Sequence, residues 1–490
     1  MRSTKVREGT RRSTRRALDT SPEEFRALGH RLVDQIAEHM ARMPDGPVKP
    51  DETAAVVRQA LGADRRLPER GTPADALLAN AANLLFEHST FNGHPRFLGY
   101  ITSSPAPIGV LGDLLASAMN QNVGNWGLAP MATEIELQTV RWIAEFIGVP
   151  SSWGGLLVSG GNMANLACFL AARTAKAGTD VRKTGLAAAA PRLAAYASCE
   201  THTWLQKAAD LAGLGTDAIR WIPVDAHQRM NTAELRRQIT ADRAAGQQPF
   251  IVVGNAGSVS TGAVDPLREI GAICRELDVW FHIDGAYGAL AAAIPEAPDD
   301  LHALADADSV AVDPHKWLYA PLEAGCALVR RTQDLRNAFS YRPPYYTFDE
   351  EMVHLVDYGP QNSRGFRALK VWLALQHIGR RGYVDTIAED IRLSRKLYQL
   401  LDAHPRFEAL TQNLSITTFR YVPDGAAQGE DLDRVNQELL AQVDRSGEAY
   451  LSNAYVDGKF ALRACIVNFR TSDEDIEALP GILERIALAR

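Results

Sequence analysis

The sequence predicts an α/β chain: a large, doubly wound, mostly parallel sheet domain, with an N-terminal helical segment before it and a small α+β domain after it. Two observations predict this. From about residue 133, short apolar runs of strand length alternate with helix-like segments, the pattern of βαβ units whose strands are buried on both faces. Beyond residue 380 the order becomes helix, two strand runs and a final helix. Composition agrees with a globular chain of this size. Of 490 residues, 46% are hydrophobic and 23% charged, which excludes a disordered or collagen-like protein. No apolar stretch reaches the ~18 residues that span a bilayer, so no membrane partner is expected. The net charge of −7 leaves no electrostatic footprint for nucleic acid.

Residues 1–20 form the one basic stretch, with seven Lys or Arg against Glu8 and Asp19. It lacks an apolar core, so it is not a secretory signal and reads as a solvated, disordered tail, with a transit peptide as the alternative. The segment 21–89 reads as helical. Ser21 is placed to cap a helix, Pro22 suits its first turn and Glu24 completes a capping box. Phe25, Leu28, Leu32, Ile36 and Met40 then give it an apolar stripe that a partner subunit or the chain's own body must cover.

The large domain is expected over 90–380. Thr133 to Glu136 reads as a second capping box, opening a helix with Ile135, Val140, Ile143 and Phe146 on one side. A helix over 163–176 follows a Gly-Gly turn. Strand runs are expected at 156–158, 193–197, 219–224, 250–253, 279–283, 309–312 and 327–329, with helices over 233–244 and 266–277. The small domain, 381–490, is expected to hold a helix over 383–401, strands at 415–421 and 461–469, and a helix from Asp473.

Cys168, Cys199, Cys274, Cys326 and Cys465 are odd in number, scattered and without a CxxC pair. They indicate reduced thiols in a cytoplasmic protein, with neither disulfides nor a metal.

In an open α/β sheet, ligands bind beyond the carboxyl ends of the strands. The polar residues there form one set. The run 279–283 ends in Asp284, followed by Gly285, Ala286 and Tyr287; 309–312 ends in Asp313-Pro314-His315-Lys316-Trp317; 193–197 leads to Glu200-Thr201-His202; and Ser159-Gly160-Gly161-Asn162 joins a strand to a helix. Each has a plain structural reading: a turn-capping Asp, a snorkelling Lys, a tight turn, a core His. Together they make an inventory for pyridoxal phosphate. A desolvated Lys can condense with the aldehyde, an Asp can hold the ring nitrogen protonated, an imidazole can meet the ring face, and glycines at a helix N-terminus can take the phosphate.

The stretch from Asp313 to Trp317, with His282-Ile283-Asp284-Gly285-Ala286-Tyr287 upstream, resembles the pyridoxal-phosphate-dependent amino-acid decarboxylases of the aromatic-L-amino-acid and glutamate decarboxylase group. The likeness runs from about residue 80 to 380 and weakly beyond. It implies the aspartate-aminotransferase-like fold and a homodimer with shared active sites, the N-terminal helix packing on the partner chain. It makes Lys316 the Schiff-base lysine, Asp284 the partner of the ring nitrogen, Ala286 and His202 the contacts to the ring, and Gly160, Gly161, Asn162 and His315 the phosphate site. The family's turn is usually richer in hydroxyls than Gly160-Gly161.

Residues 338–346 resemble the family's mobile catalytic loop, and Tyr345 falls on the tyrosine that returns a proton to Cα. Related aldehyde synthases have phenylalanine there; a phenol donates a proton and a phenyl ring does not. The resemblance therefore implies decarboxylation of an L-amino acid, with aldehyde synthase or aminotransferase as alternatives; a non-enzymatic binding module would leave these residues without a purpose. Tyr100 and Thr102 fall on the substrate pocket's edge. Asn122 and Trp126 fall on a wall supplied by the partner chain, here more polar than usual. An aromatic side chain is the expected substrate. Arg364 and Arg470 read as structural rather than as partners of a substrate carboxylate.

Overall fold

The computed structural model describes residues 18–186, 191–344, 349, 351–425 and 430–489. Tyr345 and most of the basic tail lie outside the described residues. The chain divides into two compact units, 1–91 and 92–490.

The first unit holds helices Pro22–Arg42, Ala54–Leu61 and Ala74–Glu87. Ser21 caps the first, its hydroxyl accepting the Glu24 N–H at 3.1 Å. The His39 ring stacks on Phe86 at 4.2 Å. No residue of Pro22–Arg42 is buried, and Phe25 is 63% exposed.

The second unit is built on a seven-stranded sheet: β1 (Gly154–Val158), β2 (Leu193–Ser198), β3 (Ile219–Ile222), β4 (Gln248–Asn255), β5 (Trp280–Asp284), β6 (Ser309–Val312) and β7 (Gly325–Val329). Their order is β1-β7-β6-β5-β4-β2-β3, and β7 alone runs against the rest. Successive residues of each run feed opposite faces. Leu156, Val158, Ala195, Ala197, Ile251 and Val253 pack into one core, while Leu157, Tyr196, Val252, Ile283 and Val310 pack into the other. Helix Gly161–Lys176 covers the first face, and Pro130–Phe146 and Leu267–Glu276 cover the second. Continuous apolar runs are what a sheet covered on both sides requires.

A second, antiparallel sheet holds β8 (Phe407–Asn413), β9 (Ile416–Tyr421), β10 (Ser452–Val456) and β11 (Lys459–Cys465), in the order β10-β11-β9-β8. It packs on Leu393, Leu397 and Leu401 of helix Ala368–Asp402 and on Leu479 and Leu483 of helix Asp473–Leu488. Ala368–Asp402 is two helical runs broken at Gly379, whose φ of 72° lies in the left-handed region.

The capping box expected at Thr133 does not form. The helix starts three residues earlier, with Pro130 in its first turn, and Thr133 is an interior residue whose hydroxyl donates to the Ala129 carbonyl. Glu136 is instead fully buried, accepting from the Leu157 N–H and pairing with Arg364 at 2.5 Å. Arg364 also donates to the carbonyls of Val123 and Leu157. It is a structural cation that ties β1 to the chain beside it, as expected. A buried carboxylate needs such a partner more than a helix end needs a cap.

Candidate active site

Because β1, β2, β4, β5 and β6 point the same way, the segments after their carboxyl ends share one edge. They surround a cavity of about 340 Å³. Gly160, Gly161, Asn162, His202, Asp284, Ala286, His315 and Lys316 all line it, and so do Ile101, Asn165, Asn255 and Asp313.

Asp284 ends β5 and is nearly buried. Its Oδ2 accepts the Trp204 indole N–H at 2.7 Å and its Oδ1 the Ala286 backbone N–H at 3.2 Å. Two neutral donors thus fix a carboxylate at the cavity wall without cancelling its charge. Trp204 opens the helix after the β2 loop, so a residue two positions past His202 orients Asp284 from another strand connection.

His202 stands on the open rim. Its Nδ1 accepts the Trp204 backbone N–H at 3.2 Å, which leaves Nε2 to carry the proton of the neutral ring. Partial desolvation lowers its pKa; Asp284 opposes that and Lys316 adds to it. The ring is therefore neutral near pH 7.

The turn Asp313–Lys316 follows β6, closed by the Lys316 N–H on the Asp313 carbonyl at 2.9 Å. Lys316 Nζ lies 3.2 Å from Asp313 Oδ2, and His315 Nε2 lies 3.7 Å from the same oxygen. Trp317 is fully buried and stacks on Tyr287 at 4.7 Å. Its indole N–H donates to Asp390, which also accepts from the Tyr319 hydroxyl, so helix Ala368–Asp402 anchors the chain just after the lysine.

Across from the lysine, Gly160 has a φ of 82° and helix Gly161–Lys176 begins. First-turn N–H groups have no acceptor within their own helix, and its dipole favours an anion there. Behind the wall, buried His282, pushed down to about 4 by desolvation, bridges Asn165 Oδ1 and the Ser309 hydroxyl.

Tyr100, Thr102, Asn122 and Trp126 do not line this cavity. Tyr100 is 62% exposed beside Ile101, which does. Asn122 Oδ1 accepts the N–H groups of Gly124 and Arg364, and the Trp126 indole donates to Glu134. The residues that sequence reasoning passed over as ligands of the site are Asp313, Trp204, Asn165 and Asn255. Asp313 was visible as the partner any desolvated lysine requires, and Asn255 as the start of a polar loop at the same sheet edge after the 250–253 run; Trp204 and Asn165 become neighbours only through sheet order.

A family model described as "Pyridoxal-dependent decarboxylase conserved domain" matches residues 58–422. The chain belongs to this family. An aromatic-L-amino-acid decarboxylase of Bacillus atrophaeus is 34% identical over 464 residues, covering 94% of each chain. Among solved structures, the decarboxylase "TDC" of Oryza sativa with PLP and tryptamine superposes with a TM-score of 0.90 at 28% identity, over 97% of this chain and 99% of that one. The 4-hydroxyphenylacetaldehyde synthase of Rhodiola rosea superposes at 0.86 with 27% identity, over 96% and 99%. This decarboxylase is thus a carboxy-lyase that depends on pyridoxal phosphate, with the α/β fold of its relatives.

The cavity suits that cofactor. A side chain at Gly161 would place its Cβ 2.6 Å from Asp313 Oδ2 and 3.2 Å from the Ala286 Cβ, so packing keeps this turn bare, and the backbone of Gly160, Gly161 and Asn162 lines the cavity where the helix begins. A fixed carboxylate and an amine stand on other walls of the same space.

Proposed function

We propose that this decarboxylase acts on an aromatic L-amino acid and releases CO2 and the amine, with Lys316 as the Schiff-base lysine and Tyr345 as the proton donor. The observation that carries the reading is the convergence of Lys316, Asp284, His202 and the Gly160-Gly161 turn on one cavity. The aromatic class is supported by relatives named for aromatic amino acids, tyrosine and tryptophan.

Bound pyridoxal phosphate supplies an aldehyde for the substrate's amino group and a ring that takes up the electron pair left as CO2 departs. Lys316 anchors the cofactor and yields its place to the substrate. Asp284, fixed by two N–H donors, keeps a proton on the ring nitrogen. Ala286 and the neutral His202 contact the ring, and His202 adds no positive charge to it. Gly160, Gly161 and Asn162 hold the phosphate, with His315 beside them. Tyr345 gives its phenolic proton to Cα, a role supported by its sequence context alone.

Tyr100 and Thr102 edge the substrate pocket, and Asn122 and Trp126 serve the cavity of a second copy. The homodimer this requires is supported by exposed apolar side chains on helix Pro107–Met119, where Leu111, Leu114, Leu115 and Met119 are each more than half exposed, and by Leu128 and Met131 nearby. The segment 21–89 contributes to the same interface. A cytoplasmic location is supported by five free cysteines, of which burial pushes Cys168 up to about 12 and Cys465 up to about 11.

The test is a panel of aromatic, acidic and aliphatic amino acids with CO2, amine, ammonia and peroxide all measured. Aromatic substrates should give CO2 and amine one for one, and Tyr345→Phe should divert most of the product to aldehyde. Stoichiometric peroxide from the wild type, or CO2 from acidic substrates only, overturns the reading.

A further inference from the structure

The Asp313 side chain is 3% exposed. Its Oδ1 is buried without a hydrogen-bond partner, and its Oδ2 meets Lys316 Nζ at 3.2 Å. Among the described residues, Asp313 is the carboxylate within ion-pair distance of Lys316. The other charged or titratable groups near the pair are His315 in the same turn, His202 after β2, Asp284 on β5, Cys326 on β7 and Cys465 on β11. A buried carboxylate with so few partners is costly unless a cation stays beside it.

The space that Asp313 Oδ2 occupies is also the space that a side chain at 161 would need. The bare Gly160-Gly161 turn and the acidic residue three positions before the lysine are therefore two halves of one arrangement. The turn gives up hydroxyl donors, and the room goes to a carboxylate.

We propose that Asp313 is the docking partner of Lys316, holding its ammonium whenever the lysine is not bonded to the cofactor's aldehyde carbon. This rests on Lys316 being the Schiff-base lysine. Amine exchange conserves protons and electron pairs. As the substrate's nitrogen forms its C=N bond, the bond to lysine breaks, and the extra proton of the incoming ammonium leaves on the lysine. The freed side chain is a cation, and Asp313 receives it. The ion pair parks the ammonium beside the glycine turn, so it neither competes for the aldehyde nor donates a proton elsewhere on the bound substrate. Asp313 acts through Lys316 and is a positioning residue.

The test reads the lysine directly. Cofactor-free wild type, Asp313→Asn, Asp313→Ser and Asp313→Glu are treated at neutral pH with a water-soluble amine-reactive acylating reagent, and modification of Lys316 is followed by peptide mass spectrometry. Removing a charge partner at this distance should speed modification in the Asn and Ser variants by roughly tenfold or more, and Glu should restore the slow rate. Two neutral variants guard against one failing to fold. Equal rates in wild type and both neutral variants overturn the proposal. In parallel, borohydride reduction of cofactor-loaded wild type should fix the cofactor on Lys316. Its absence there would overturn the proposed function, while the labelling result still decides whether Asp313 holds the amine.

Discussion

Asp284 ends β5 and Asp313 follows β6, two carboxylates at the edge of neighbouring parallel strands, and their surroundings differ. Asp284 is bound by two neutral N–H donors, one indole and one backbone, and neither can leave. Asp313 is bound by a cation at 3.2 Å on a flexible side chain, and its second oxygen has no hydrogen-bond partner. Residue type and position at the sheet edge are shared; the partners set the role. Neutral, immovable donors make a permanent charge. A cation on a flexible side chain makes a charge whose pairing depends on where that side chain lies.

The largest expected effect is on the permanent charge. Asp284→Asn keeps an acceptor for the Trp204 indole but removes the ion. CO2 release should fall by roughly 10²- to 10³-fold, with the cofactor still retained and its visible absorbance altered. A loss below about tenfold would erase the distinction drawn between the two carboxylates.

The second prediction concerns the room around Asp313. Gly161→Ala brings a Cβ to 2.6 Å from Asp313 Oδ2, so the variant should lose about 1–3 kcal/mol in thermal unfolding and retain cofactor poorly. Adding Asp313→Ser should recover much of that stability, since residues in contact do not add. Fully additive losses would separate the turn from the carboxylate.

The smallest effect concerns a third carboxylate. Asp390 is buried under Trp317 and Tyr319, and desolvation pushes it up to about 7 although both side chains donate to it. Its folded pKa lies above its unfolded value near 4. The native state therefore binds more protons between about pH 4 and 7. The stability from this group is fully present below pH 4 and is lost as pH rises through 7. Asp390→Asn should flatten the fall in unfolding free energy across that window. An unchanged slope would show that Asp390 is ionised throughout, a fixed charge of the Asp284 kind.

Local pattern carried the reading of the large sheet. Six strand runs overlap β2 to β7 to within two or three residues, and 156–158 lies inside β1, because strands buried on both faces are apolar throughout and stand out from their flanks. The small sheet was half legible. β9 and β11 lie in its centre and read as apolar runs, whereas the edge strands β8, half-buried and mixed with polar residues, and β10, which alternates buried and exposed, gave no such signal. Thr133 and Glu136 matched a capping motif in spacing, but Pro130 offered an earlier start and the buried Arg364 claimed the glutamate.

The sequence by itself determined the fold class, the residues that end each parallel strand and, through the stretch around Lys316, the family, because each of these is a short-range property. Only the tertiary structure decided that Trp204 fixes Asp284 from 80 positions away, that Asp313 and Gly161 compete for one volume, and that Asp390 secures the chain after the lysine. Strand order and packing distance set those contacts, and neither is written in the spacing of residues along the chain.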